Sequence, residues 1–190
     1  MGRRQKVKRR KRLFIGCEGE SEQGYAALLQ RFSNERGCAF HADSKVILHA
    51  GDPLALVERA IEMATRGEKG SKSPYSARFL MLDTDLIGQN PDRDAQIKGL
   101  AARNNLIVLK QNCCFEAFLL RHIDGHENDK PPTAAIALMR LQAVWPGYKK
   151  GLSAQELRKR IAIEDVQRAA RNPRNADFHA ILDALGLLSG

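Results

Sequence analysis

The sequence predicts an α/β protein: a doubly wound, mainly parallel four-stranded sheet with a C-terminal helical extension. Three observations predict it. Short apolar runs alternate with helical patterns, four of each, over residues 13–126. The connections are short, and right-handed crossovers then leave a doubly wound sheet as the leading topology. Beyond residue 126 the alternation stops, and helical patterns follow a polar, Pro-rich break, ENDKPPT.

Each element has its own justification. LFIG (13–16) is the first strand. Residues 22–35 read as a helix with Tyr25, Leu28, Leu29 and Phe32 at spacings of three and four, stopped by Gly37. KVILHA (45–50) is the second strand. Asp52 and Pro53 open a second helix, as cap and first-turn residue, with Leu54, Val57, Ile61, Met63 and Ala64 inward. GEKGSKSPYS (67–76) reads as an exposed loop. RFLMLD (78–83) is the third and most hydrophobic strand. Residues 92–103 form a third helix, LIVLK (106–110) the fourth strand, and CFEAFLLRHI (114–123) the helix after it. In the extension, residues 133–145 are helical. Ser153 and Glu156 form a capping box for one basic helix, LRKRIAIEDVQRAAR, and Asn175 caps a last helix, FHAILDALGLL. The expected organisation is a basic arm over residues 1–12, an α/β core over 13–126 and a helical extension over 127–190 packed on that core.

The formal net charge is +9, and the first twelve residues hold eight cations: Arg3, Arg4, Lys6, Lys8, Arg9, Arg10, Lys11 and Arg12. The rest of the chain is therefore close to neutral. Such an arm is either a solvated tail or a device for gathering phosphates, since dense Lys and Arg release counterions from nucleic acid. The apolar run after it is too short for a secretory signal, and no segment approaches the roughly 18 apolar residues of a membrane span. Four cysteines without a C-x-x-C pair suit free thiols in a reducing cytoplasm. A zinc site drawn from Cys113, Cys114, His122 and His126 lacks the spacing of a zinc knuckle.

The acids are the informative feature. Ligands of an open α/β sheet bind beyond the carboxyl ends of the strands, where the strand order reverses. Glu18 follows the first strand; Asp83 and Asp85 close the third. In a 2-1-3-4 order those two strands are neighbours, so the three carboxylates converge. Crowded carboxylates repel, and Mg²⁺ or Mn²⁺ relieves that repulsion. Gly19 would let the backbone turn and leave room for a phosphate beside the next helix N-terminus. Glu20 reads as a first-turn acid favoured by the helix dipole. Asp-x-Asp alone also occurs in turns. Combined with Glu-Gly after the first strand, it resembles the metal signature of the Toprim fold.

A closer resemblance runs over residues 11–155. CEGESEQGY resembles the opening motif of the RloB-like (AbiLii-type) family of bacterial phage-defence proteins. LDTD resembles that family's acidic strand-end motif, QNCCFEAFLLRH its SNPCFE-x-W-LLLH segment, and Tyr148-Lys149-Lys150-Gly151 a later Y-x-K-G element. Gln111, Cys113 and Phe118 depart from the pattern. The resemblance implies a Toprim-like nuclease core in antiviral defence or abortive infection, often beside an ABC-type ATPase. It implies that Glu18, Asp83 and Asp85 hold Mg²⁺, that Glu18 can also act as general acid/base, and that Glu22 can hold a second ion. Asn112, Glu116 and His122 match the third segment and Lys150 the last. Glu116 is an outer metal ligand or a helix-start acid, His122 is more often structural in such a place, and Lys150 steadies a phosphate oxygen or is one of a solvated pair.

The leading expectation is thus a Mg²⁺-dependent nuclease that cleaves DNA or RNA, with the arm and Arg158, Lys159 and Arg160 gripping the backbone. The alternative is a non-catalytic nucleic-acid- or nucleotide-binding regulatory subunit of a defence complex. A phosphotransferase using Asp83 as nucleophile fits less well, because such enzymes place the pair after their first core strand. No Walker motif is present, and no aromatic platform for RNA is visible. A homo-oligomer is compatible with the sequence.

Overall fold

The structure is a computed structural model, and it describes residues 10–47, 51–71 and 73–188. Its sheet is all parallel, in the order β2-β1-β3-β4. The elements are β1 (Lys11–Cys17), α1 (Glu20–Glu35), β2 (Phe40–Val46), α2 (Pro53–Ser71), β3 (Ala77–Asp83), α3 (Pro91–Arg103), β4 (Leu106–Gln111) and α4 (Phe115–Leu120). They are followed by α5 (Ala134–Val144), α6 (Ala154–Arg158), α7 (Ile163–Ala170), a 3-10 turn (Pro173–Asn175) and α8 (Ala176–Ala184).

The period-two alternation of the central strands divides the core into two layers. Leu13, Ile15 and Cys17 of β1 and Phe79 and Met81 of β3 face α1 and the helices of the extension. Phe14, Leu80 and Leu82 face α2 and α3. The extension therefore shares one continuous core with the α1 face of the sheet, through residues such as Leu141, Leu157, Val166, Phe178 and Ile181. The buried stripe of α2 is Leu56, Val57, Ala60 and Ala64, whereas Leu54, Ile61 and Met63 only flank it.

Several boundaries differ from those expected. The second strand is Phe40–Val46, not 45–50. It lies at the sheet edge, where pairing with Lys11–Cys17 sets the register and polar residues such as His41 and Lys45 remain exposed. Residues 48–50 lie outside the described residues. Helix α2 runs on to Ser71, into the first half of the expected loop. Glu68 explains this: its carboxylate accepts from Tyr75 N at 2.9 Å and pairs with Arg78 at 2.8 Å, fastening the last turn to β3.

The basic segment of the extension is two helices rather than one. Ser153 and Glu156 form the expected capping box for α6, with Ser153 N donating to Glu156 at 2.9 Å. A second cap then intervenes, because Asp165 accepts from Ala162 N at 2.8 Å, and Ile161 turns into the core. Asn175 occupies the N-cap position of α8, but its side chain donates to Ala169 O at 2.8 Å instead of capping. Helix α4 ends at Leu120, and α8 at Ala184 before Gly186, whose φ is +69°.

β1 also begins inside the expected arm. Lys11 and Arg12 are strand residues. Arg12 donates to Ser73 O at 2.8 Å and to Tyr75 Oη at 3.0 Å, lies over the Tyr75 ring, and pairs with Asp43 at 3.4 Å. Its charge is engaged at the sheet edge.

Candidate active site

At the carboxyl edge of β1 and β3 the chain forms a cleft of about 370 Å³. Its lining includes Glu18, Gly19, Glu22, Asp83, Glu116 and Lys150. Glu18 is the first residue past β1 and Asp83 the last of β3, so the parallel pairing of Cys17 with Met81 brings them together. Glu18 Oε2 accepts from Asp83 N at 3.3 Å. Glu22, in the first turn of α1, accepts from Gly19 N at 3.1 Å and is buried. Glu116 is at the second position of α4 and is buried as well.

Lys150 crosses from the extension and pairs with Glu116 Oε1 at 3.4 Å, an oxygen that also accepts from Tyr148 Oη at 3.4 Å. The loop that carries Lys150 is pinned to α1. Gly151 N donates to Ser21 Oγ at 2.9 Å, and Gly151 adopts a φ of +75°. Leu152 O approaches so closely that a Cβ on Gly24 would lie 2.1 Å from it. Gly19 itself is extended, a conformation open to any residue. Space is its limit, since a Cβ there would come within 3.3 Å of Glu22 Oε2.

The electrostatics follow from this crowding. Burial raises the Asp83 carboxyl to about 9, reinforced by the charges of Glu22, Glu18, Glu116 and Asp85. Burial, with Glu18 and Glu116 nearby, raises Glu22 to about 7 against its hydrogen bonds to backbone N–H groups. Glu18 is raised too, chiefly by burial, with the Asp83 N–H opposing and Asp85 adding to it. Asp83 Oδ1 is buried without a hydrogen-bond partner. Among the described residues, no three His, Cys, Asp or Glu side chains are drawn together as a ready-made metal cage. The donor set is nonetheless all carboxylate oxygen, which suits a hard cation, and the orphaned oxygen of Asp83 is a ligand atom in waiting.

The remaining candidates divide. Asp85 is exposed in the turn after β3 and does not line the cleft, though its charge reaches Asp83 and Glu18. Thr84 N donates to Gln111 O and Cys113 O at 3.2 and 3.1 Å, so the 111–113 loop holds the Asp-Thr-Asp backbone in place. Asn112 contributes its carbonyl, which accepts from Arg121 at 2.8 Å. His122 belongs to the core. Its Nε2 lies 2.6 Å from Tyr25 Oη and its Nδ1 3.0 Å from Phe118 O, and burial lowers its pKa to about 4. Neutral His122 thus ties α1 to α4, the helices that carry Glu22 and Glu116.

Of the expected nucleic-acid contacts, Arg3, Arg4, Lys6, Lys8 and Arg9 lie outside the described residues. Arg10 is exposed, and Lys11 lies 5.8 Å from the Phe40 ring. Arg158 pairs with Glu35 at 3.7 Å and lies over the Phe32 ring, while Lys159 and Arg160 are exposed. Sequence reasoning missed Ser21, Tyr148 and Gly151 as the closure of the cleft. The Tyr-Lys-Lys-Gly element was the available signal, but nothing local says what it closes over.

Comparison with curated proteins and with solved structures found no match. The family model described as RloB-like protein matches residues 13–181, which take in all but the first two residues of the sheet, every acid of the cleft and nearly all of the extension. On that match, the chain belongs to the RloB-like family.

Proposed function

We propose that this protein is a Mg²⁺- or Mn²⁺-dependent nuclease acting in antiviral defence. The observation that carries the reading is the convergence of Glu18, Glu22, Asp83 and Glu116 on one cleft, with a buried Asp83 oxygen left unpartnered. Glu18, Asp83 and Glu22 would hold the ion, with Asp85 at the rim and Glu116 as an outer ligand. A bound divalent cation would supply charge stabilisation for the scissile phosphate and a lowered pKa for the attacking water.

The chain's own groups would do the rest. Glu18, in the lining of the cleft, would take the proton from the incoming water and return one to the leaving oxygen. Lys150, whose side chain is 68% exposed, would leave Glu116 for a phosphate oxygen as negative charge accumulates there. Tyr148 keeps Glu116 oriented when Lys150 moves. Basic residues outside the cleft would supply the attraction that a ring of acids cannot.

The test is incubation of wild type and Glu18→Gln with plasmid DNA and total tRNA in Mg²⁺, Mn²⁺ or EDTA. Cleavage that requires both metal and Glu18 is the expected outcome, and the substrate degraded names its class. Cleavage that persists in Glu18→Gln or in EDTA overturns the reading. The second reading, a regulatory binding subunit working with an ABC-type ATPase, draws on the loosely assembled acid cluster. Adding the ATPase to an inert wild type separates the two: cleavage that appears then is a partner-activated nuclease, and continued inertness leaves the binding subunit.

A further inference from the structure

A second groove adjoins the loop that closes the acidic cleft. It measures about 470 Å³ and is lined by Trp145, Gly147, Lys149, Leu152, Glu156, Lys159 and Arg160. Three of these side chains are cationic. The one carboxylate among them, Glu156, is spent on the α6 cap, where it accepts from Ser153 N at 2.9 Å and from Ser153 Oγ at 2.7 Å. Lys149 and Lys159 are exposed, and Arg160 makes a long contact of 3.4 Å to Val144 O. Trp145 is half-buried in the wall of the groove.

A basic groove with an aromatic wall matches the chemistry of unpaired nucleic acid. Cations follow the phosphates, and an indole offers a stacking surface that tolerates any base. A paired base has no free face to offer it. The groove is also coupled to the cleft. The Trp145 and Tyr148 rings pack 5.6 Å apart, and Tyr148 Oη reaches Glu116. Lys149 lines the groove while its neighbour Lys150 lines the cleft. We propose that the groove of Trp145, Lys149, Lys159 and Arg160 is a subsite for a single-stranded nucleotide of the substrate, flanking the acidic cleft. The inference deepens the nuclease reading and rests on it for the identity of the cleft.

Trp145 is the sole tryptophan of the chain, so its emission reports on the groove directly. The experiment titrates full-length protein in EDTA with oligo(dT), with oligo(U) and with a duplex of the same length. EDTA removes turnover, so a failure here is distinct from a failure of the cleavage assay. Quenching by a single strand and not by the duplex is expected, and the two oligonucleotides distinguish DNA from RNA. The Lys149→Ala/Lys159→Ala/Arg160→Ala variant, followed by anisotropy, should bind with a log Kd against log salt slope lower by about 2. Trp145→Ala should weaken binding roughly 10-fold, the loss of one stacked base. Absence of quenching, equal quenching by duplex, or an unchanged salt slope in the triple variant would overturn the proposal. Wild-type fluorescence alone decides the first two, whatever the variants' folding.

Discussion

Asp83 bears the largest electrostatic load of the cleft. In the unfolded chain its carboxyl titrates near 3.8 and that of Glu22 near 4.5, whereas the folded values are about 9 and about 7. Both shifts are upward, so the folded state binds more protons than the unfolded one between those limits, and stability falls as pH rises through them. Buried His122, whose folded value is about 4, works the other way and adds stability as pH rises to about 6.5, so thermal unfolding of the metal-free protein should show Tm falling most clearly from about pH 6.5 towards pH 9. Mg²⁺ should raise Tm most at the alkaline end, where the carboxylates are free of protons. Asp83→Asn should be more stable than wild type in EDTA at pH 8, by at least ~1 kcal/mol, and lose the gain near pH 4. The same variant should no longer respond to Mg²⁺. A wild type whose metal-free Tm is flat between pH 6.5 and 9 would contradict this account of the cleft. The positions of Glu18, Asp83 and Asp85 were legible in the sequence, because strand ends and the switch-point rule place them. That Asp85 stays at the rim was not, because its orientation depends on Thr84 being held by β4's end.

At the scale of elements, two contacts set how α1 meets its neighbours. Replacing Gly24 by Ala would put a methyl 2.1 Å from Leu152 O, which is backbone and cannot step aside. The cost is expected to be about 1–3 kcal/mol in denaturant unfolding, with the Lys150 loop displaced and activity reduced along with it. Tyr25→Phe removes the partner of His122 Nε2 inside a sealed core, at an expected cost of about 1–3 kcal/mol. An unchanged denaturation midpoint in either variant would contradict the assigned contact. Neither contact could be read from local sequence. Gly24 sits in an ordinary helical pattern, and its obstacle lies 128 positions further on, at Leu152. β2 was misplaced for a related reason: an edge strand is chosen by its register with β1, and hydrophobicity pointed to the adjacent run. The split between α6 and α7 depends on Asp165 capping Ala162, which competes with a helical pattern that looks continuous.

At the scale of the whole molecule, five acids line the cleft at the sheet's carboxyl edge, and the densest run of cations in the sequence is residues 1–12. Removing residues 1–9 deletes five cations, Arg3, Arg4, Lys6, Lys8 and Arg9. The salt slope for single-strand binding should then fall by about 3–4, measured by anisotropy from 50 to 200 mM salt. Cleavage of a short oligonucleotide at saturation should change little, because the cleft acids are untouched. A slope that stays the same would mean the arm contacts something other than the substrate. The fold class was legible, since alternating periods of two and three to four residues argue for a parallel sheet, whereas its order followed only from assuming a particular doubly wound arrangement. Which face of the sheet the extension covers was not, because its partner surface on α1 is presented only once the sheet exists.

The order β2-β1-β3-β4 has one more consequence. β1 and β3 are the inner strands, each hydrogen-bonded on both sides, and they carry Glu18 and Asp83 at their tips. Mutual repulsion at those tips cannot be relaxed by letting the strands drift apart. The least deformable part of the molecule holds the carboxyls in opposition, and only side-chain rotation and proton uptake are left to respond. A newly arrived cation would therefore meet ligands whose backbones are already in place, and the slowest amide exchange should centre on residues 13–17 and 79–82, directly beneath them.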